Sequence, residues 1–169
     1  MLELLAPAGN LDAVIAAVQN GADAVYMGFG DGFNARRSAD NFTRESFAKA
    51  VRYCHIRGCK VYVTLNTLVG DREMDAAAAL AQQASDAGAD AILVQDLGLA
   101  RVLRAALPDI PLHASTQMSV HNLAGVEAAA EMGITRAVLA RELSLEQIRF
   151  ISQHASIETE VFVHGALCF

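Results

Sequence analysis

Apolar and polar positions along this chain fall into two alternating rhythms. Short aliphatic runs read as strands: LELLAP (2–7), DAVYMGF (23–29), KVYVTLNTLV (60–69), DAILVQD (90–96), PLHASTQ (111–117), RAVLARE (136–142) and EVFVHG (160–165). Alanine-rich stretches with a helical apolar period separate them. In the first, Leu11, Val14, Ile15 and Val18 share one face; Asn10 is placed to cap the start and Gly21 to end it. In the last, Ser144 and Gln147 have capping-box spacing. GADAV (21–25) and GADAI (88–92) repeat one punctuation, a glycine past a helix and an aspartate ahead of the next strand. The chain therefore reads as one strand–helix unit used repeatedly.

Such alternation predicts a parallel sheet with right-handed crossovers. An open doubly wound sheet and a (β/α)8 barrel both satisfy it. The barrel is favoured, because APAGN (6–10) lacks the G-x-G-x-x-G turn that cradles a pyrophosphate. A full barrel takes about 250 residues, and this chain has 169. The expectation is α/β: an incomplete (β/α)8 TIM-like barrel of about six βα units plus a seventh strand, with residues 1–169 as one domain. Open edges beside the first and seventh strands would invite self-association.

Alternation along each strand sorts its side chains. Tyr62, Thr64 and Asn66 share one face of the third strand, His113, Ser115 and Gln117 one face of the fifth, and Glu160, Phe162 and His164 one face of the seventh. With the apolar faces turned to the helices, these polar sets point into the lumen. Near the amino ends, Glu3, His113 and Glu160 read as a structural polar layer. The carboxyl ends, where barrel active sites form, carry Pro7, Tyr26, Asn66, Gln95, Asp96, Ser115, Gln117, Arg141, Glu142 and His164. Convergence from several strands predicts a small-molecule pocket. Asn66, Asp96, Gln117, Arg141, Glu142 and His164 are its candidate catalytic groups, and Tyr26, Arg36, Gln95 and Ser115 its candidate substrate-binding groups. Arg141 and Arg36 suit a small carboxylate through the guanidinium fork. A solvated loop residue is the plainer reading of Arg36, and Arg141 could equally form a local ion pair with Glu142 that shapes the pocket.

Composition narrows the setting. Apolar residues make up 53% and charged residues 19%, enough for a sizeable core. A net charge of −6 argues against gripping a phosphate backbone by electrostatics alone. No apolar run reaches the roughly 18 residues of a spanning helix, so no membrane is expected. Three cysteines without a scaffold spacing favour a reducing cytoplasm. Cys54 lies late in the second helix and Cys59 just before the third strand, whereas Cys168 follows the seventh, so the three cannot ligate one metal.

ETEVFVHGALCF (158–169) resembles the opening of the signature of the U32 peptidase-like family: Glu160, Phe162, Gly165, Ala166, Leu167 and Cys168 occupy its positions. LLAPAGNLDA, NGADAVYMG, NARRSADNF, KVYVTLNT, LHASTQMSVHN and VLARELSLEQI also look like family segments, so the resemblance covers essentially the whole chain. The family signature continues with a glycine, a second cysteine and a serine, which makes this chain look like the N-terminal part of a longer protein.

The resemblance implies two histories. One is a protease or collagenase label; the other is hydroxylation, of transfer or ribosomal RNA bases or of a ubiquinone precursor. Several members hold an iron–sulfur cluster on four cysteines, and RNA-modifying branches use prephenate as oxygen source. Cys168 corresponds to the first ligand of a 4Fe-4S cluster, the others lying downstream. The cluster is expected to be absent, and activity with it, in this fragment alone. The expected function is RNA base hydroxylation with a small carboxylate such as prephenate, RNA being bound through downstream regions. Peptidase activity and a non-enzymatic scaffold role are the alternatives. No HExxH motif supports a zinc peptidase, and no nucleophile–base pair is evident from spacing.

Overall fold

The computed structural model describes residues 2–30, 32–35 and 41–165. Seven strands alternate with six helices: β1 (Leu5–Pro7), α1 (Leu11–Gln19), β2 (Ala24–Gly28), α2 (Arg44–His55), β3 (Lys60–Leu65), α3 (Met74–Asp86), β4 (Ala91–Val94), α4 (Leu97–Ala106), β5 (Leu112–Ala114), α5 (Leu123–Glu131), β6 (Arg136–Val138), α6 (Leu145–His154) and β7 (Glu158–Glu160). Every pairing is parallel and the strand order is sequential from β1 to β7. The sheet curls into a half-barrel, as the repeated strand–helix pattern predicts. Among the described residues β1 and β7 each pair on one side only.

Local chemistry sets the boundaries. The Asn10 side chain accepts from Ala13 N at 2.9 Å and caps α1. Ser144 and Gln147 close a reciprocal capping box on α6. Gly21 and Gly88, the glycines of the two GAD repeats, adopt left-handed φ values of 89° and 96°, conformations that favour glycine. The aspartates of the same repeats do equivalent work. Asp23 accepts from Leu4 N at 2.8 Å and Asp90 from Val61 N at 2.7 Å, each tying a strand start to the strand before it. The repeat in sequence is thus a repeat of one strand-registering hydrogen bond.

The outer face of the sheet carries the main core. Val61, Val63 and Leu65 are buried there, in clusters that include Phe47, Ala50 and Val51 of α2 and Ala77 and Ala81 of α3. Cys54 and Cys59 belong to this layer, and burial together with their mutual contact pushes the Cys54 thiol up to about 12. Inside the curl, Ala24 and Ala91 leave room for Tyr62 beside Leu93.

The polar layer at the amino ends forms around a residue that alternation alone does not single out. Arg136 donates to Glu3 at 2.5 Å and to Glu158 at 2.6 Å, with Glu160 at 3.6 Å. Glu3 also accepts from Lys60 at 2.9 Å and from the Tyr62 hydroxyl at 2.7 Å. Burial pushes the Glu3 carboxyl up, but the hydrogen bonds from Arg136, Lys60 and Tyr62 outweigh it and hold it at about 2. Burial beside Arg136 depresses His113 to about 3, and burial raises Glu160 against the opposing pull of Arg136.

Two strand runs are shorter than their hydrophobic pattern suggests. The fifth ends at Ala114, and Thr116–Met118 form a 3-10 turn. The seventh pairs at Glu158–Glu160 rather than over 160–165. Arg136 supplies the reason: the register Arg136↔Glu158 and Val138↔Glu160 sets both carboxylates beside one guanidinium. Leu139 N donates to Glu160 O at 2.8 Å, and 161–165 then leave the ladder.

Candidate functional site

Past the carboxyl ends of β3 and β5, Asn66 and Ser115 are buried and face one another. The Asn66 amide donates to Ser115 Oγ at 3.2 Å and to Gln117 Oε1 at 3.1 Å. The Ser115 hydroxyl in turn donates to the Gln117 side chain. Gln95, just beyond β4, donates to the Gln117 backbone carbonyl at 3.3 Å. On its other side Asn66 Oδ1 accepts from Ala35 N at 3.0 Å, anchoring the segment after β2 over the mouth. The same segment is held by the Asn34–Asn41 amide pair at 3.0 Å. That pair lies on the bare Cα of Gly28, where an added Cβ would come within 2.2 Å of both amides.

Beside this amide network lies an open cavity of about 570 Å³ lined by Gln95, Gln117, Ser119, His121, Arg141 and Glu142, among others. Arg141 follows β6, and its guanidinium carbon lies 4.0 Å from the ring centroid of Phe162, which follows β7. Its Nε is buried without a hydrogen-bond partner. Stacking thus fixes the guanidinium plane at the cavity wall while one donor stays unused. Such a donor fork fits a planar carboxylate.

Asn66, Gln95, Ser115, Gln117 and Arg141 are therefore gathered at one mouth, and Glu142, exposed, shares the cavity wall. Other expected positions differ. Tyr26 is mid-strand, level with Tyr62, and packs in the inner cluster rather than at the rim. Asp96 caps α4, accepting from Leu99 N at 2.8 Å, and also accepts from Val69 N at 3.4 Å, so its carboxylate is occupied by backbone. His164 is exposed, lies beyond β7 and does not line the cavity, because the strand ends earlier than its pattern suggests. Arg141 stacks on Phe162, and the alternative local ion pair with Glu142 does not form among the described residues. Arg36 and Cys168 lie outside the described residues.

Ser119 and His121 line the cavity without having been legible from strand alternation, since both follow the 3-10 turn. Ser119 is left-handed at φ 57°, a rare conformation for a residue with a Cβ. Its carbonyl lies 3.1 Å from His121 Nδ1. A carbonyl only accepts, so Nδ1 carries the proton and, in the neutral ring, Nε2 is the acceptor.

Among the described residues no helix is long and apolar enough to cross a membrane. The family model described as peptidase family U32 matches residues 9–169. Over 99% of its length the chain is 43% identical to the 23S rRNA 5-hydroxycytidine C2501 synthase of Escherichia coli (strain K12), and it covers 25% of that protein. Over 98% it is 41% identical to tRNA hydroxylation protein P1 of Bacillus subtilis (strain 168), covering 39% of it. The chain thus spans well under half the length of either curated relative. The solved structure of the U32 peptidase Mk0906 superposes with a TM-score of 0.77 at 18% identity, covering 95% of this chain and 68% of that one.

Proposed function

The chain belongs to peptidase family U32, and from that premise we propose that it forms the substrate-mouth portion of a longer RNA base hydroxylation enzyme. Relatives at 43% and 41% identity are a ribosomal RNA 5-hydroxycytidine synthase and a transfer RNA hydroxylation protein. The observation that carries the proposal is Arg141, stacked on Phe162 in the wall of the mouth with its Nε unpaired. Arg141 binds the carboxylate of a small oxygen-supplying co-substrate such as prephenate. Asn66 holds Ser115 and Gln117 in place, so the polar floor of the cavity is set before the ligand arrives. The chain carries a net charge of −6, so RNA is gripped by regions beyond it.

The proposal includes a 4Fe-4S cluster in the longer protein, with Cys168 as one thiolate ligand, acting in the redox chemistry. The described cysteines do not fit it. Cys54 and Cys59 are buried in the outer layer and burial raises both thiols, which opposes thiolate formation. Among the described residues no group of three or more His, Cys, Asp or Glu side chains is arranged to hold a metal ion.

A peptidase would need a nucleophile within reach of a base. Among the described residues the buried hydroxyl of the mouth, Ser115, is bound by the amides of Asn66 and Gln117, neither of which is a base. The test is nucleoside mass spectrometry of total RNA from cells lacking the gene, complemented with full-length wild type or Arg141→Ala. Loss of one hydroxylated nucleoside in the deletion, restored by wild type only, is expected. Unchanged nucleosides in the deletion, or full restoration by Arg141→Ala, would overturn the proposal.

A further inference from the structure

The guanidinium that walls the mouth also holds the segment leading out of β7. Glu160 is the last residue in the ladder, yet Phe162 and Gly165 stay close to Arg141, which follows β6. Phe162 lies under Arg141 at 4.0 Å. Gly165, at φ 143°, runs close enough that an added Cβ would be 3.9 Å from Arg141 Nη1. Val163, between them, is 88% exposed and Val161 38%, so the contacts with Arg141 act together with partial burial of Val161 and Phe162 in holding the segment. Phe162 itself is 37% exposed. An aromatic face left that open contributes through the cation it faces as well as through the area it covers.

We propose that Phe162 is a positioning residue that couples the Arg141 anion site to the segment after β7, so that a carboxylate bound at Arg141 immobilises residues 161–165. This rests on the reading of Arg141 as a carboxylate site and adds a consequence to it. A free guanidinium can swing about its long side chain, and stacking on Phe162 confines it to one plane. A carboxylate that engages the guanidinium donors locks that plane from the other side. The ring beneath is then locked with it, and so is the backbone that carries the ring toward Cys168. Ligand and outgoing segment therefore stabilise one another through a single side chain, and the coupling is reciprocal.

The experiment uses the full-length protein and malonate as the small carboxylate probe, with calorimetric titration and hydrogen exchange over residues 161–165. Wild type is expected to bind malonate, and binding to slow exchange in the segment. Arg141→Ala is expected to lose both effects. Phe162→Leu is expected to weaken binding by about two- to thirtyfold, the range of one cation–π contact, and to abolish the slowing. Phe162→Tyr, which keeps the ring, restores both. If Phe162→Leu binds like wild type and still slows exchange while Arg141→Ala does not bind, the coupling is overturned and the carboxylate site stands. If wild type fails to bind malonate, the site falls and the coupling with it.

Discussion

Arg136, at the start of β6, donates a 2.5 Å hydrogen bond to Glu3, 133 positions earlier and just ahead of β1. The two lie five strands apart in a sheet whose order is sequential, so only a curled sheet brings them together. The Arg136 side chain is 10% exposed and has Glu3, Glu158 and Glu160 about it. Arg136→Met is expected to cost about 3–5 kcal/mol, because it strands carboxylates in a partly dry interior. Chemical denaturation measures this. Lys49→Ala, which breaks an exposed pair with Glu45, should leave the midpoint unchanged.

The same layer sets the acid response. Glu3 titrates at about 2 against an ordinary 4.5, so its contribution is full above about 4.5 and is lost as pH falls toward 2. His113 is held neutral, at about 3 against 6.5, so its contribution is full above 6.5 and drains away as pH falls toward 3. Glu160 works the other way: its raised pKa means that protonation relieves a burial cost as pH falls. Stability should thus begin to fall below about pH 6.5, with a slope of up to about 1.4 kcal/mol per pH unit for each group. His113→Phe, which keeps a ring near Tyr62, should flatten the decline between pH 6.5 and 4.5 in denaturation series.

Gly28 lies directly against the amide pair of the loop above it. Gly28→Ala would place a methyl 2.1 Å from Asn41 Oδ1 and 2.2 Å from Asn34 Nδ2. The amide pair must part, freeing the segment that Asn66 anchors through Ala35 N. Faster proteolysis within residues 30–42 and reduced RNA modification are expected. Gly9→Ala, with nothing within 4 Å of the added carbon, should behave as wild type in both measurements.

The repeating strand–helix pattern made the barrel legible, because outward Val61, Val63 and Leu65 alternate with inward Tyr62 and Thr64 and each unit ends on readable caps. The mouth residues Asn66, Ser115 and Gln117 followed from the same alternation. The seventh strand lies at 158–160 rather than 160–165, since its register answers to Arg136 on a neighbouring strand, a long-range charge preference that no local pattern encodes. Asp96 sits where a rim carboxylate would, but the helix beginning at Leu97 uses it as its cap. Ser119 and His121 stayed hidden because a 3-10 turn obeys neither the period of a strand nor that of a helix.

Asn66 donates to both members of a hydrogen-bonded pair, Ser115 Oγ and Gln117 Oε1, while its oxygen accepts from Ala35 N. Asn66→Ala deletes all three bonds and leaves the buried Ser115 hydroxyl with the Gln117 side chain alone. The expected cost is about 1–3 kcal/mol, that of one unsatisfied buried group. Asn66→Asp keeps an acceptor for Ala35 N but turns a carboxylate oxygen on Gln117 Oε1 in place of the amide donor. That repulsion bears on the cavity floor directly. Nucleoside mass spectrometry should therefore show Asn66→Asp modifying RNA less than Asn66→Ala does, even where urea denaturation finds Asn66→Asp no less stable. Equal modification by the two variants would mean that the amide only fills space.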